Sequence, residues 1–147
     1  MKIKIKGMIY GITLFLITLT GFAQMPVFKR YYIADIPGLG WLAEFYVTHS
    51  IHYMMASALL ALGGYTAMNY FLNNRERVAL TLWGRIKVFL LSGLIISGGL
   101  MVVRNLPGIY SFSHVSIYVM NLLHLGFCMA LIAVSGFTLV TRQPWTR

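Results

Sequence analysis

Residues 7–28, 45–74, 88–103 and 105–141 contain no Asp, Glu, Lys or Arg. A bilayer hydrocarbon core of about 30 Å takes roughly 20 apolar residues as a helix. The pattern therefore predicts four transmembrane helices, at about 7–25, 46–72, 86–104 and 117–140. The expected fold class is an all-α integral membrane protein: one membrane domain over 1–147, built as a four-transmembrane-helix bundle. No internal repeat or low-complexity segment stands out. The first span, with Lys2, Lys4 and Lys6 ahead of an apolar run that ends Gly21, Phe22, Ala23, has the shape of a signal peptide. It is expected to be a retained helix.

Between the spans the chemistry changes. The connection 26–45, PVFKRYYIADIPGLGWLAEF, combines Pro26, Pro37, Gly38 and Gly40 with Trp41, and reads as an ordered, aromatic-rich loop on which a partner could dock. The connection NNRERVALTLWGR is polar at its start, and Trp83 near its end suits an interfacial anchor. Glycines and small residues punctuate the spans (Gly7, Gly11, Gly63, Gly64, Gly93, Ser97, Gly98, Gly99), where they allow close helix packing in lipid or leave clearance for a flat cofactor.

Composition sharpens this picture. The chain is 59% hydrophobic and 10% charged, with a mean hydropathy of +0.75, outside the range of water-soluble domains. Its net charge of +9 would suit nucleic acid if it were gathered on one soluble face, but the cations sit in short connections. Nine of them (Lys2, Lys4, Lys6, Arg75, Arg77, Arg85, Lys87, Arg142 and Arg147) fall on one side and three (Lys29, Arg30 and Arg104) on the other. The excess is expected to place both termini in the cytoplasm. Nucleic acid is excluded as a partner. The single cysteine, Cys128, rules out an internal disulfide or a CxxC motif. So short a chain has no room for a soluble catalytic domain, so substrate chemistry is expected to belong to a partner.

Histidine is the one ionisable acid or base within the spans, and an intramembrane ionisable residue is a functional signal. His49 and His52 fall on the second predicted helix, His114 and His124 on or beside the fourth. Two neutral imidazoles from facing helices can hold a low-spin b-type haem, and the absence of CxxCH excludes a c-type one. Depth selects the pair. His52 lies 21 residues before Asn73 and His124 lies 18 before Arg142, or about 31 and 27 Å above the inner boundary at 1.5 Å per residue. His49 and His114 sit at about 36 and 42 Å. His49 shares a face with His52 and could bond a haem propionate or a quinone carbonyl; His114 could do likewise or cap the start of its helix. Arg104, Lys29 and Arg30 could neutralise propionates. Ala56 and Gly63 on the His52 face are small enough for a porphyrin to lie against, while Asn121, Phe127 and Cys128 flank His124.

These residues resemble the four-helix cytochrome b subunits of formate dehydrogenase-N, nickel-iron hydrogenase and thiosulfate reductase complexes, and the related bacterial dihaem cytochromes b. In that pattern the first helix carries a histidine thirteen residues before a Thr-Gly or Ser-Gly pair, the second one histidine near its start, and the fourth two histidines fourteen apart. Thr20 and Gly21 supply the pair, SIHYMMASALLALGG places His52 at the second-helix position, and LLHLGFCMALIAVSG with the preceding RNLPG places His124 at the first of the fourth-helix positions. Gly7 and Thr138 stand where the other two ligands would be. The resemblance therefore implies a one-haem version, with iron held by His52 and His124. In a second register His124 matches the later histidine and His114, ten residues earlier, pairs with His52.

Such a subunit would pass electrons between an extracytoplasmic iron-sulfur or multihaem cytochrome partner and the membrane quinone pool. His49, Asp35, Glu44 and His114 are the polar groups that could serve a quinone near the outer end. Two other readings remain: a haem-free anchor that docks and orients a redox partner, and a metal site built from the four histidines.

Overall fold

The computed structural model describes residues 2–25, 27–74, 78–108 and 112–147. Pro26 and the Arg75, Glu76, Arg77 cluster lie outside the described residues. Five α-helices follow one another: α1 (Lys2–Ala23), the single turn α2 (Val27–Arg30), α3 (Phe45–Asn69), α4 (Leu82–Arg104) and α5 (His114–Val140). A π-helical turn, Tyr70–Asn74, extends α3. Among the described residues there is no strand, only one isolated antiparallel bridge between Leu80 and Thr146. The aromatic connection between α1 and α3 holds short 3₁₀ turns at Ile33–Asp35 and Gly40–Ala43.

Among the described residues, three helices are long and apolar enough to cross a membrane: Ile5–Ala23 within α1, Leu82–Arg104 and His114–Val140. α3 equals them in length at 25 residues, but His49, His52 and its glycines dilute it, and hydropathy does not single it out. Burial is inverted relative to a water-soluble domain. Thr13, Thr20, Thr48, Ser97, Thr138 and Lys87 are buried, whereas Phe15, Phe71, Phe89, Leu122 and Leu139 are exposed. Where the solvent is hydrocarbon, polar groups turn inward to find partners and apolar ones face out.

The chain divides into two units, Met1–Asn74 and Arg75–Arg147, each a helical hairpin. In the first, α1 and α3 run antiparallel and are joined by a ladder of polar contacts. Lys6 Nζ donates to Tyr65 Oη at 3.4 Å, Tyr10 Oη bonds Thr66 and donates to the Leu62 carbonyl, and Gln24 at the α1 end meets His49. In the second, α4 and α5 are antiparallel and packed by aromatic rings. Trp83 lies 5.0 Å from Phe137 and Phe89 lies 6.3 Å edge-on from Phe127, centroid to centroid. Gly93 is required there, since a Cβ on it would stand 2.7–2.8 Å from the Phe127 ring.

Helix starts differ from the sequence expectation for a local reason. α4 begins at Leu82 because Thr81 caps it, its hydroxyl accepting from Gly84 N at 3.1 Å. α5 begins at His114 because Ser113 accepts from Ser116 N at 3.2 Å. Each cap satisfies amides left without a partner in the first turn. The same hydroxyl of Thr81 donates to the Pro144 carbonyl at 2.8 Å. Ala79 and Arg147 exchange two backbone hydrogen bonds of 2.9 Å each, pinning residues 144–147 beside the start of α4.

Candidate functional site

Each hairpin sets one histidine against a hydroxyl residue followed by glycine. In the first, Thr20 is fully buried and its Oγ1 lies 3.2 Å from His52 Nδ1. In the second, Ser97 Oγ lies 2.9 Å from His124 Nδ1. The following glycines do the same job twice. A Cβ on Gly21 would stand 3.2 Å from His52 Cε1, and one on Gly98 3.3 Å from His124 Cε1, so each imidazole closes over backbone that bears no side chain.

The hydroxyl protons are already committed. Thr20 Oγ1 donates to the Leu16 carbonyl at 2.7 Å, and Ser97 Oγ donates to the Gly93 carbonyl at 2.8 Å. A hydroxyl has one proton, and while it rests on that carbonyl the oxygen accepts from the histidine and Nδ1 donates. A neutral imidazole protonated on Nδ1 carries its lone pair on Nε2. That is the arrangement a metal-ligating histidine needs: one nitrogen anchored to an acceptor, the other bearing the lone pair for the metal. Each imidazole, within its own hairpin, is of the donor type that haem iron takes.

His49, one turn nearer the start of α3 than His52, has Nδ1 3.1 Å from Gln24 Oε1. Its ring is stacked on Phe45 at 5.1 Å and lies 4.3 Å from Tyr53. Beside Gln24 is a shallow cavity of about 170 Å³, also lined by Leu42, Phe45 and Lys29. His114 is an exposed first-turn residue of α5, and the cap, one of the two roles open to it, is made by Ser113. Arg104 ends α4, and its Nε donates to Asn105 Oδ1 at 3.3 Å. Asp35 and Glu44 are exposed in the loop turns, and Glu44 precedes α3 without a side-chain capping bond.

At the two positions where the resemblance lacks ligands, a Cβ on Gly7 would meet nothing within 4 Å, and Thr138 is buried with its hydroxyl on the Ser135 carbonyl. Of the small residues, Gly21, Gly84, Gly93 and Gly98 make close approaches, whereas Gly11, Gly63, Gly64 and Gly99 have no atom within 4 Å of a built Cβ.

The sequence reading missed Gln24 as a partner of His49 and the role of Ser97 and Gly98, which it took as helix-packing residues. A signal was present: Thr-Gly in α1 and Ser-Gly in α4, each followed by a histidine in the next long helix. Searches of family models, curated proteins and solved structures return no match to this chain.

Proposed function

We propose that the chain is a membrane cytochrome b subunit of a bacterial respiratory redox complex. In this reading it forms four transmembrane spans with both termini in the cytoplasm, and carries one haem b with His52 and His124 as axial ligands. The carrying observation is that these two histidines, and no other described histidine, each pair with a buried hydroxyl and close over a glycine. Haem b held by His52 and His124 would supply a low-spin one-electron couple. The chain's residues orient the imidazoles and exclude water, while an extracytoplasmic iron-sulfur or multihaem cytochrome subunit and the quinone pool are the electron partners. His49 with Gln24, beside the cavity that Lys29 lines, is the favoured place for a quinone carbonyl, and Arg104 is a counter-charge for a propionate.

The test is the dithionite-reduced minus oxidised spectrum and pyridine haemochrome of the purified protein, for wild type, His52→Ala, His124→Ala and His114→Ala. One b-type haem per chain, lost in the first two variants and kept in the third, is expected. Loss on His114→Ala with retention on His124→Ala would move the second ligand to His114.

A specific observation favours the rival reading of a haem-free anchor. The loop before α3 leaves Tyr31, Tyr32 and Tyr46 largely exposed, at 67%, 75% and 84%, more than a lone aromatic needs and suited to docking. Wild-type protein without haem, still binding its redox partner after both histidine substitutions, would establish it.

A further inference from the structure

The two histidine environments are one device used twice. In each hairpin a hydroxyl residue on the outgoing helix gives its proton to a backbone carbonyl four residues earlier, receives Nδ1 of a histidine on the returning helix, and is followed by the glycine under that ring. The match extends to the carbonyls three residues back, Ile17 for Thr20 at 3.3 Å and Leu94 for Ser97 at 3.2 Å. The connections around the device differ in length, 24–44 in the first hairpin and 105–113 in the second, though each carries a Pro-Gly pair whose glycine has positive φ, Gly38 and Gly108. Chain folding alone does not require this coincidence, because α1 and α3 already have the polar ladder to hold them, and α4 and α5 the aromatic packing.

We infer that Thr20 and Ser97 are positioning residues that fix His52 and His124 as Nδ1–H tautomers, so that both present Nε2 as the metal-binding atom with a strengthened donor character. This rests on the haem reading only for what Nε2 binds. The tautomers belong to the protein itself. A hydrogen bond from Nδ1–H raises the basicity of the opposite nitrogen. It thereby stabilises the ferric over the ferrous state, and losing it raises the midpoint potential. Gly21 and Gly98 act separately. They set where the ring sits, because a Cβ at 3.2–3.3 Å from Cε1 forces the imidazole to shift by a few tenths of an ångström without touching the hydroxyl.

The test has two arms. In the first, ¹⁵N-histidine NMR of the full-length, haem-free chain in lipid nanodiscs reads which ring nitrogen carries the proton. Wild type is expected to show His52 and His124 protonated on Nδ1. Thr20→Val should lower the Nδ1–H to Nε2–H ratio of His52 alone, and Ser97→Ala that of His124 alone, by about fivefold, the bias one ordinary hydrogen bond supplies. Thr20→Ser and Ser97→Thr keep a hydroxyl at the same place and should restore the wild-type ratio.

In the second arm, redox titration of the haem-loaded protein should show the haem retained in Thr20→Val and Ser97→Ala, with the midpoint raised in each and returned by the conservative variants. Wild-type rings protonated on Nε2, or ratios indifferent to loss of the hydroxyl, would overturn the proposal whether or not haem is present. Correct tautomers in a chain that binds no haem would overturn the haem reading and leave the positioning role standing.

Discussion

The two hairpins reach the same local result by different physics. α1 and α3 are joined through side-chain hydrogen bonds spaced along nearly the whole interface, from Lys6 and Tyr65 at one end to Gln24 and His49 at the other. Among the described residues α4 and α5 share one such bond, Ser97 to His124, and are otherwise held by ring packing and by Gly93, where Phe127 presses against the backbone. Apolar burial does not drive helices together in hydrocarbon, so dispersion contacts and interhelical hydrogen bonds carry association. One hairpin draws mainly on the second and the other mainly on the first. The histidine device is what they have in common, so changes elsewhere should separate the two hairpins.

The largest expected effect is in the second. In Gly93→Ala the new methyl falls on the Phe127 ring edge, and the ring has to leave its edge-on contact with Phe89. Overpacking of this kind costs about 1–3 kcal/mol. The thermal or SDS-induced unfolding midpoint in detergent should fall accordingly, and an unchanged midpoint would show that α4 and α5 are not packed through this residue. Gly64→Ala in the first hairpin is the control: nothing lies within 4 Å of its Cβ position, and the midpoint should hold or rise slightly from the better helix propensity of alanine.

A smaller loss is expected from Tyr10→Phe. The hydroxyl bonds Thr66 and the Leu62 carbonyl, and the phenyl ring keeps the rest of the side chain. Interhelical hydrogen bonds in membrane proteins average about 0.6 kcal/mol, with a maximum near 1.7. A double-mutant cycle of Tyr10→Phe with Thr66→Val should return a coupling in that range. A coupling near zero would mean that the polar ladder does not bind α1 to α3, and the contrast between the hairpins would disappear.

Much of this fold was legible beforehand because the solvent writes it into composition. Runs without charge mark α1, α3, α4 and α5; α1 starts at Lys2, ahead of its apolar run, and α4 and α5 start at the caps Thr81 and Ser113, since a hydroxyl that bonds an amide three residues on leaves little trace in hydropathy. The candidate site was half legible. His52 and His124 stand out because imidazole is costly in lipid, whereas Ser97, Gly98 and Gln24 look like filler until their partners are known. A serine that bonds its own helix backbone is common in membrane spans. That its remaining lone pair receives a histidine 27 residues on depends on the α4–α5 register, which is set by Gly93 and the aromatic rings rather than by any motif. The cap that His114 could have made is made by Ser113, because a short hydroxyl beside the first turn reaches its amides better than an imidazole does.

The smallest global effect, and the most local, concerns residues 144–147. Their carbonyls and amides pair with 79–81, Lys87 Nζ stands 4.8 Å over the Trp145 ring, and Gly84 leaves room for the Trp145 carbonyl, which a Cβ there would strike. In Gly84→Ala the obstruction is backbone rather than a flexible side-chain tip, so the segment must lift away. The α4 helix itself gains slightly from alanine, and the unfolding midpoint should barely move. Amide hydrogen exchange at Ala79, Thr81 and Arg147, the three donors of that pairing, should accelerate by about tenfold or more, as for a segment released to local opening. Amides in the middle of α4 and α5 should keep their protection. Exchange that rises through the helix as well would make this clasp part of what holds the second hairpin together, the counterpart at its end of the Lys6–Tyr65 contact in the first.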